Sequence, residues 1–452
     1  MRITNPADGS LIREVREESN VEERYRRARA AQPAWAAVPL KEKLATIERF
    51  KSLAAAKTDE LAKTLTREMG KPLRQSKNEL NALGPRIDFF LEHAESALAP
   101  EEVYADKDLK EKITHDPLGV VVNVSAWNYP WFVGSNVFVP ALLAGNTVLY
   151  KPSEFATLTG LAIGELMVEA GVPSDVFQVI VGGGATGSAL VEQPVDGVFF
   201  TGSYATGARI AAACAPRMVK VQLELGGKDP AYACDDVDVK TAAESLADGA
   251  MYNTGQSCCA VERVYVHERI YDAFVEHFVA TVKGFVVGDP MDEKTYIGPL
   301  AREAQLKVLE DQVNEAVRKK GRLLLGGQRI RRAGNWFAPT VVADANHSMA
   351  LMREESFGPV IGIQKVSGDD EAVALMNDTR YGLTAGVFTR DAQRAATLLA
   401  KIRSGSAYWN CCDRVSPRLP WSGIGHSGVG LTLSKYGIQA FARPRGWHLR
   451  AA

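Results

Sequence analysis

The stretch Gly119-Val120-Val121-Val122-Asn123-Val124-Ser125-Ala126-Trp127-Asn128-Tyr129-Pro130-Trp131 changes character halfway along. Its first half is a short, nearly continuous apolar run, the pattern of a strand buried on both faces of a parallel sheet. Polar and aromatic residues then end it. Other runs follow the same plan: Thr147–Tyr150 leads into Lys151-Pro152-Ser153-Glu154, Gly197–Phe200 into Thr201-Gly202-Ser203, and Val219–Leu223 into Glu224-Leu225-Gly226-Gly227-Lys228. Val176–Val181 is a further run of this kind, and helical segments such as Leu158–Ala170 lie between them, that one closed by Gly171-Val172-Pro173. Such alternation predicts a doubly wound parallel sheet, whose ligands bind beyond the carboxyl ends of its strands.

A second round follows. Val264–Val266, Leu323–Leu325, Val360–Ile363 and Leu383–Phe388 read as strands, and Tyr271–Val282, Glu303–Lys319 and Asp391–Lys401 as helices. Upstream, residues 20–98 predict amphipathic helices broken near Gly70-Lys71-Pro72 and Gly84-Pro85. Residues 101–116 are polar without a helical stripe and suit an exposed arm or hairpin; Ile438–Ala442 reads as a late strand. The fold class is therefore α/β, with two doubly wound parallel-sheet domains and a small β arm. The expected division is 1–100 with 119–226 as one domain, 227–428 as the second, and 101–118 with 429–452 as the arm.

The 53 Lys and Arg residues nearly cancel 54 Asp and Glu, which argues against a nucleic-acid or anionic-membrane partner. No apolar run reaches the ~18 residues of a membrane span, and the N-terminus lacks a signal-peptide core. The six cysteines form two adjacent pairs and two singles, neither a disulfide framework nor zinc spacing. The expectation is a soluble cytoplasmic protein with no metal.

In Asn253-Thr254-Gly255-Gln256-Ser257-Cys258-Cys259-Ala260 a thiol pair follows the predicted end of a helix. A cysteine there is either an inert small hydrophobe or a nucleophile, and the stretch alone leaves both open. Glu224, set between Leu223 and Leu225 at the end of an apolar strand, is expected to be buried, which would raise its pKa toward the range of a general base. The glycines Gly182, Gly184 and Gly187 match G-x-G-x-x-G, although no acid follows about 20 residues later as in a standard dinucleotide fingerprint. Gly202-Ser203-Tyr204-Ala205-Thr206-Gly207 opens another helix able to carry phosphate on its amides.

Taken together, W-N-Y-P (127–130), K-P-S-E (151–154), F-T-G-S-x-x-x-G (200–207), L-E-L-G-G-K (223–228), G-Q-S-C (255–258) and E-E-S-F-G-P-V (354–360) resemble, in order and spacing, the aldehyde dehydrogenase superfamily, with a short N-terminus. The resemblance runs from Asn5-Pro6 to Ser427-Gly428 and into the C-terminal strand. It implies Cys258 as the nucleophile, Asn128 with the Cys258 amide as the oxyanion hole, and Glu224 as the base that activates water. It also implies an NAD(P) site: Lys151, Ser153 and Glu154 at the adenosine ribose; Gly184, Gly187, Thr201, Gly202, Ser203, Gly207 and Trp127 along the phosphates; Leu225, Gly226, Glu355 and Phe357 at the nicotinamide end. Cys259 reads as a packing neighbour.

Glu154 favours a ribose hydroxyl over a 2'-phosphate, so NAD is expected before NADP, with Lys151 as the counterweight. Two departures stand out. Val137 occupies a position where many members carry lysine, and Pro420–Gly428 replaces the usual glycine-rich segment near the substrate mouth. Tyr129, Trp131, Phe132, Tyr408, Trp409 and Trp421 are expected around the substrate, suiting an apolar or aromatic aldehyde or, through cation–π contact, an amino or quaternary one. With Arg263 as the sole arginine near the cysteine loop, a carboxylate-bearing semialdehyde ranks lower. The rival readings are a CoA-acylating semialdehyde dehydrogenase and a non-catalytic homologue. The arm would pair subunits into a homodimer or homotetramer.

Overall fold

Val120–Val124 forms an inner strand of a six-stranded sheet in the computed structural model, which describes residues 1–451. Across this sheet the order is Gly428–Val429, Lys220–Glu224, Gly197–Thr201, Val120–Val124, Thr147–Lys151, Phe177–Val179. All neighbours are parallel except Gly428–Val429, which runs antiparallel along Lys220–Glu224. Register explains why the polar ends converge. Val124 lies opposite Lys151 and Phe200, and Thr201 opposite Glu224, so four strands release their next residues at one edge.

The second sheet has seven strands, in the order Arg322–Leu325, Thr340–Ala343, Val360–Val366, Val261–His267, Asp229–Ala233, Thr384–Phe388, Ser406–Trp409. Only its first pair is antiparallel. Gly428–Val429 brings the chain back to the first sheet, and Trp421, Leu433, Ile438 and Phe441 pack into the core beside it. A three-stranded antiparallel sheet of Glu101–Ala105, Leu109–Pro117 and Ala442–Arg450 projects as the arm.

Two sequence expectations fail for physical reasons. The helix Leu73–Leu98 runs straight through Gly84-Pro85. An interior proline costs ~3 kcal/mol, but Leu80 and Leu83 before it and Ile87 and Phe90 after it enter the same core, each worth about 1.5–3 kcal/mol on burial. Ile438–Ala442 is not a strand: Ser434–Gln439 is helical, and the strand begins at Ala442. The fully buried pair there, Ile438 and Phe441, has helical spacing, and Phe441 stacks on Phe199 at 4.3 Å. Among the described residues no helix is long and apolar enough to cross a membrane.

Candidate active site

The helix Val239–Met251 delivers the cysteine loop, which turns through three consecutive left-handed residues: Asn253 (φ 55°), Thr254 (φ 58°) and Gly255 (φ 69°). Such backbone is costly outside glycine, and specific contacts hold it. Gln75 accepts the Asn253 N–H at 2.9 Å, the Thr254 hydroxyl accepts the Gly298 N–H at 3.0 Å, and Gln256 Oε1 accepts the Ala301 N–H at 2.9 Å. Gly255 lies so close to the 354–360 loop that a Cβ would stand 2.2 Å from the Gly358 carbonyl oxygen. The outcome is a half-buried Cys258 on the wall of a cavity of about 550 Å³. Cys259 is buried, and its thiol donates to Asp413 at 3.0 Å.

Asn128 sits under this loop, its side-chain N–H donating to the Gln256 carbonyl at 3.2 Å, with a second N–H left over. Glu224 enters the same cavity from the end of its strand. Thr432 donates to its carboxylate, and burial, opposed by that hydrogen bond and by Arg86, pushes its pKa up to about 7. Val137 is buried in the core, so no lysine serves the cavity from that position.

Several of the residues expected at a dinucleotide lie on the loops that leave the convergent strand ends, and Glu154, Phe155 and Gly183 border one pocket. Lys151 is buried beneath Gly187, its ammonium on the Pro152 carbonyl, and burial lowers its pKa. Ser153 donates to the exposed Glu154 carboxylate at 3.3 Å. Gly184 opens the helix Gly184–Glu192, and a Cβ on either Gly183 or Gly184 would meet nothing within 4 Å. Ser203 caps the helix Tyr204–Cys214 after Thr201-Gly202, and Gly207 lets Leu225 pack at a distance no Cβ would allow. Phe357 and Phe155 meet the Trp127 ring edge-on at 5.5 and 6.3 Å. Glu355 accepts the Gly227 N–H at 3.0 Å while crowding Gly226, and burial, then Glu262, pushes its pKa up to about 8. Bare glycine backbone at a helix N-terminus beside flat aromatic walls and a ribose-type acid fits a dinucleotide.

Of the aromatic residues expected around the substrate, Tyr129, Phe132 and Trp421 line the cavity. Trp131 does not: it is fully buried in the core, because its position on the helix Pro130–Leu143 faces inward. Trp409 is exposed on the edge strand of the second sheet, donates to the Thr389 carbonyl at 3.0 Å and does not line the cavity; Tyr408, on the same strand, stands behind the lining and donates its hydroxyl to the carbonyl of Arg414, which borders it. Several lining or supporting residues escaped the sequence reading. Arg86, Glu79, Asp248, Tyr252 and Asp413 border the cavity. Glu262 accepts the Ser356 and Phe357 N–H groups at 2.8 and 2.9 Å and pairs with buried Lys228 at 2.6 Å, fixing the loop that carries Glu355. Arg86 had a legible signal: it interrupts the apolar row Leu83, Ile87, Phe90 on its helix.

The family model described as "Aldehyde dehydrogenase family" matches residues 1–446. The chain belongs to the aldehyde dehydrogenase family. Aldehyde dehydrogenases are NAD(P)-dependent oxidoreductases, in keeping with the bare glycine backbone at the start of the helix Gly184–Glu192. Among its relatives, a succinate-semialdehyde dehydrogenase [NADP(+)] of Deinococcus radiodurans is 35% identical over 444 residues, 98% of this chain and 93% of that protein. A betaine aldehyde dehydrogenase of Cereibacter sphaeroides is 35% identical over 441 residues, 97% of this chain and 91% of its own length. The crystal structure of an NAD-dependent aldehyde dehydrogenase from Sinorhizobium meliloti superposes with a TM-score of 0.96 at 34% identity, over 99% of this chain and 91% of that one. This aldehyde dehydrogenase thus has the two-sheet α/β architecture of its relatives.

Proposed function

We propose that this chain oxidises an aldehyde to its carboxylic acid through a covalent intermediate on Cys258. The observation that carries the reading is the meeting of Cys258 and Glu224, from separate parts of the chain, on one cavity with the Asn128 amide beneath the cysteine loop. The Cys258 thiolate attacks the aldehyde carbon, forming the C–S bond and moving the carbonyl electron pair onto oxygen. The free Asn128 N–H and the Cys258 backbone amide are the donors for that oxyanion. NAD(P), when bound, supplies the hydride acceptor. Trp127, Phe357, Gly184 and Glu355 are the residues that would hold it. Loss of hydride leaves a thioester on Cys258. Glu224 then takes a proton from water, whose oxygen attacks the thioester carbon; the C–S bond breaks and the acid leaves.

A carboxylate poised near neutrality on the same cavity as the thiol supports hydrolysis over transfer to CoA. It also argues against a non-catalytic role, which has no use for a strained thiol loop facing a buried base. The test is Cys258→Ser with a panel of aldehydes: NAD(P)H formation should vanish while cofactor binding, followed by tryptophan quenching, persists. Turnover retained by that variant, or acyl-CoA formed by the wild type when CoA is added, would sink the reading.

The aromatic lining of Tyr129, Phe132 and Trp421 suits an aldehyde with a short carbon chain. The relatives' names include both an anionic and a cationic aldehyde, so the substrate's charge has to come from the cavity. The arm leaves Glu101–Ala105 and Ala442–Arg450 as edge strands with Val103, Tyr104 and Leu449 exposed, which supports pairing between copies. Light scattering on the purified protein checks this; a monomer removes it.

A further inference from the structure

Arg86 goes into the protein interior with the apolar side chains of its helix and is 5% exposed, yet it borders the catalytic cavity. A guanidinium offers five N–H donors. Among the described residues, Arg86 has one acceptor, Asn136 Oδ1 at 2.8 Å, and no carboxylate partner. Its Nε is buried without any partner, and its Nη2 makes no hydrogen bond to the protein. The guanidinium carbon lies 4.2 Å from the centre of the Phe132 ring, which fixes the plane of the fork. Asn136 also borders the cavity, and with its oxygen committed to Arg86 its NH2 group is left as a further donor there.

The acids on the same cavity are in the opposite condition. Glu79 takes Lys71 and the Trp131 N–H, Glu224 takes the Thr432 hydroxyl, Asp248 the Tyr296 hydroxyl, and Asp413 the Cys259 thiol. An added cation would find acids already supplied with donors. An added anion would find a buried guanidinium short of acceptors, the one deficit a carboxylate meets with bidentate geometry.

We propose that Arg86, seconded by Asn136, anchors a carboxylate on the substrate, so that the aldehydes this chain takes are oxo-carboxylates. The proposal rests on the Cys258 reading and reverses the low rank given to semialdehydes from the sequence, where arginines were weighed only beside the cysteine loop.

The experiment compares kcat/KM for 4-oxobutanoate and 5-oxopentanoate with butanal, pentanal and 4-aminobutanal. The wild type should prefer the oxo-carboxylates. In Arg86→Met the ratio of 5-oxopentanoate to pentanal should fall by about 10- to 100-fold, the loss expected for a charged hydrogen bond, and Arg86→Lys should recover part of it. A wild type that prefers 4-aminobutanal or the plain alkanals, or an Arg86→Met variant that slows both members of the pair equally, overturns the proposal. Calorimetry with pentanedioate reads the anchor without turnover: binding should be present in the wild type and lost in Arg86→Met, and no binding to the wild type also overturns it. Pentanedioate bound through Arg86 by a protein that oxidises no aldehyde would instead sink the catalytic reading and leave the anchor standing.

Discussion

The Glu355 carboxylate accepts the backbone N–H of Gly227 at 3.0 Å, which docks the 354–360 loop onto the turn that follows Glu224. The contact is close enough that a Cβ on Gly226 would stand 2.2 Å from Glu355 Oε1. Gly226→Ala should therefore displace that carboxylate while leaving Cys258 in place. Loss of one hydrogen bond to the cofactor predicts a rise in cofactor KM of about 10-fold. An unchanged cofactor KM would detach Glu355 from the cofactor site.

Glu224 gives a pH signature with a definite sign. Its pKa is raised by burial to about 7 from an ordinary 4.5, and the base works only when ionised, so thioester hydrolysis should rise with pH through about 7. Glu224→Gln should remove that limb and leave a single burst of NAD(P)H followed by slow turnover. Stability runs the other way. A raised folded-state pKa contributes stability that is full below 4.5 and lost as pH climbs through 7, a change on the order of 3 kcal/mol. The melting temperature of Glu224→Gln relative to the wild type should thus increase between pH 5 and pH 8; a decrease would mean the carboxylate is not desolvated.

The adjacent thiols should separate cleanly. The Cys259 thiol donates a buried hydrogen bond to Asp413, whereas Cys258 faces the cavity. Cys259→Ala should still show the burst, although Asp413 loses a donor and the protein should melt lower. Cys258→Ser should show no burst at any enzyme concentration. Stoichiometric labelling by iodoacetamide, mapped by mass spectrometry, would give the same order, and preferential labelling of Cys259 would reverse the assignment.

What the sequence made legible was whatever depends on periodicity and local motif. The run Val120–Val124 and its parallel partners were readable because strands buried on both faces are continuously apolar. Asp229–Ala233 was not, since Asp-Pro-Ala-Tyr-Ala carries no such run, and its place in the second sheet comes from the neighbours on either side. Cys258, Glu224 and Asn128 lie in motifs, while Arg86 and Glu262 act through contacts between segments distant in sequence, such as Arg86 with Asn136. Trp131 and Trp409 show the same limit from the other side: an aromatic beside a site motif points wherever its helix or strand turns it.

Cofactor preference should follow from the charge around Glu154. Glu154 and Glu17 border one pocket with Gly183 and Phe155, while the ammonium of Lys151 is buried behind Gly187 on the Pro152 carbonyl. Four acids, Glu17, Glu68, Glu154 and Glu303, line that pocket against Arg2 and the N-terminus, so a 2'-phosphate there should be disfavoured and NAD preferred. Glu154→Ser should move the NADP-to-NAD ratio of kcat/KM toward NADP by about 10-fold, the size of one unfavourable charge contact at partial exposure. Initial rates with each cofactor measure it, and an unmoved ratio would take Glu154 out of the selection.

Gly255 and Gly184 should respond oppositely to alanine. Gly255 is left-handed and pressed against the Gly358 carbonyl, so Gly255→Ala carries both backbone strain and a clash, a loss of about 1–3 kcal/mol or more from the strain alone. Its melting temperature should drop, and turnover with it, because the same turn presents Cys258. Gly184 has ordinary backbone at the start of a helix and open space where a Cβ would go. Alanine there restricts the unfolded chain and should stabilise the free protein by about 0.4–1 kcal/mol. That open space is also where the cofactor backbone is expected, so cofactor KM should rise even as the melting temperature does. A variant that melts higher yet binds cofactor less tightly is hard to obtain from any purely structural glycine. If Gly184→Ala binds cofactor as the wild type does, the phosphates do not pass over this helix.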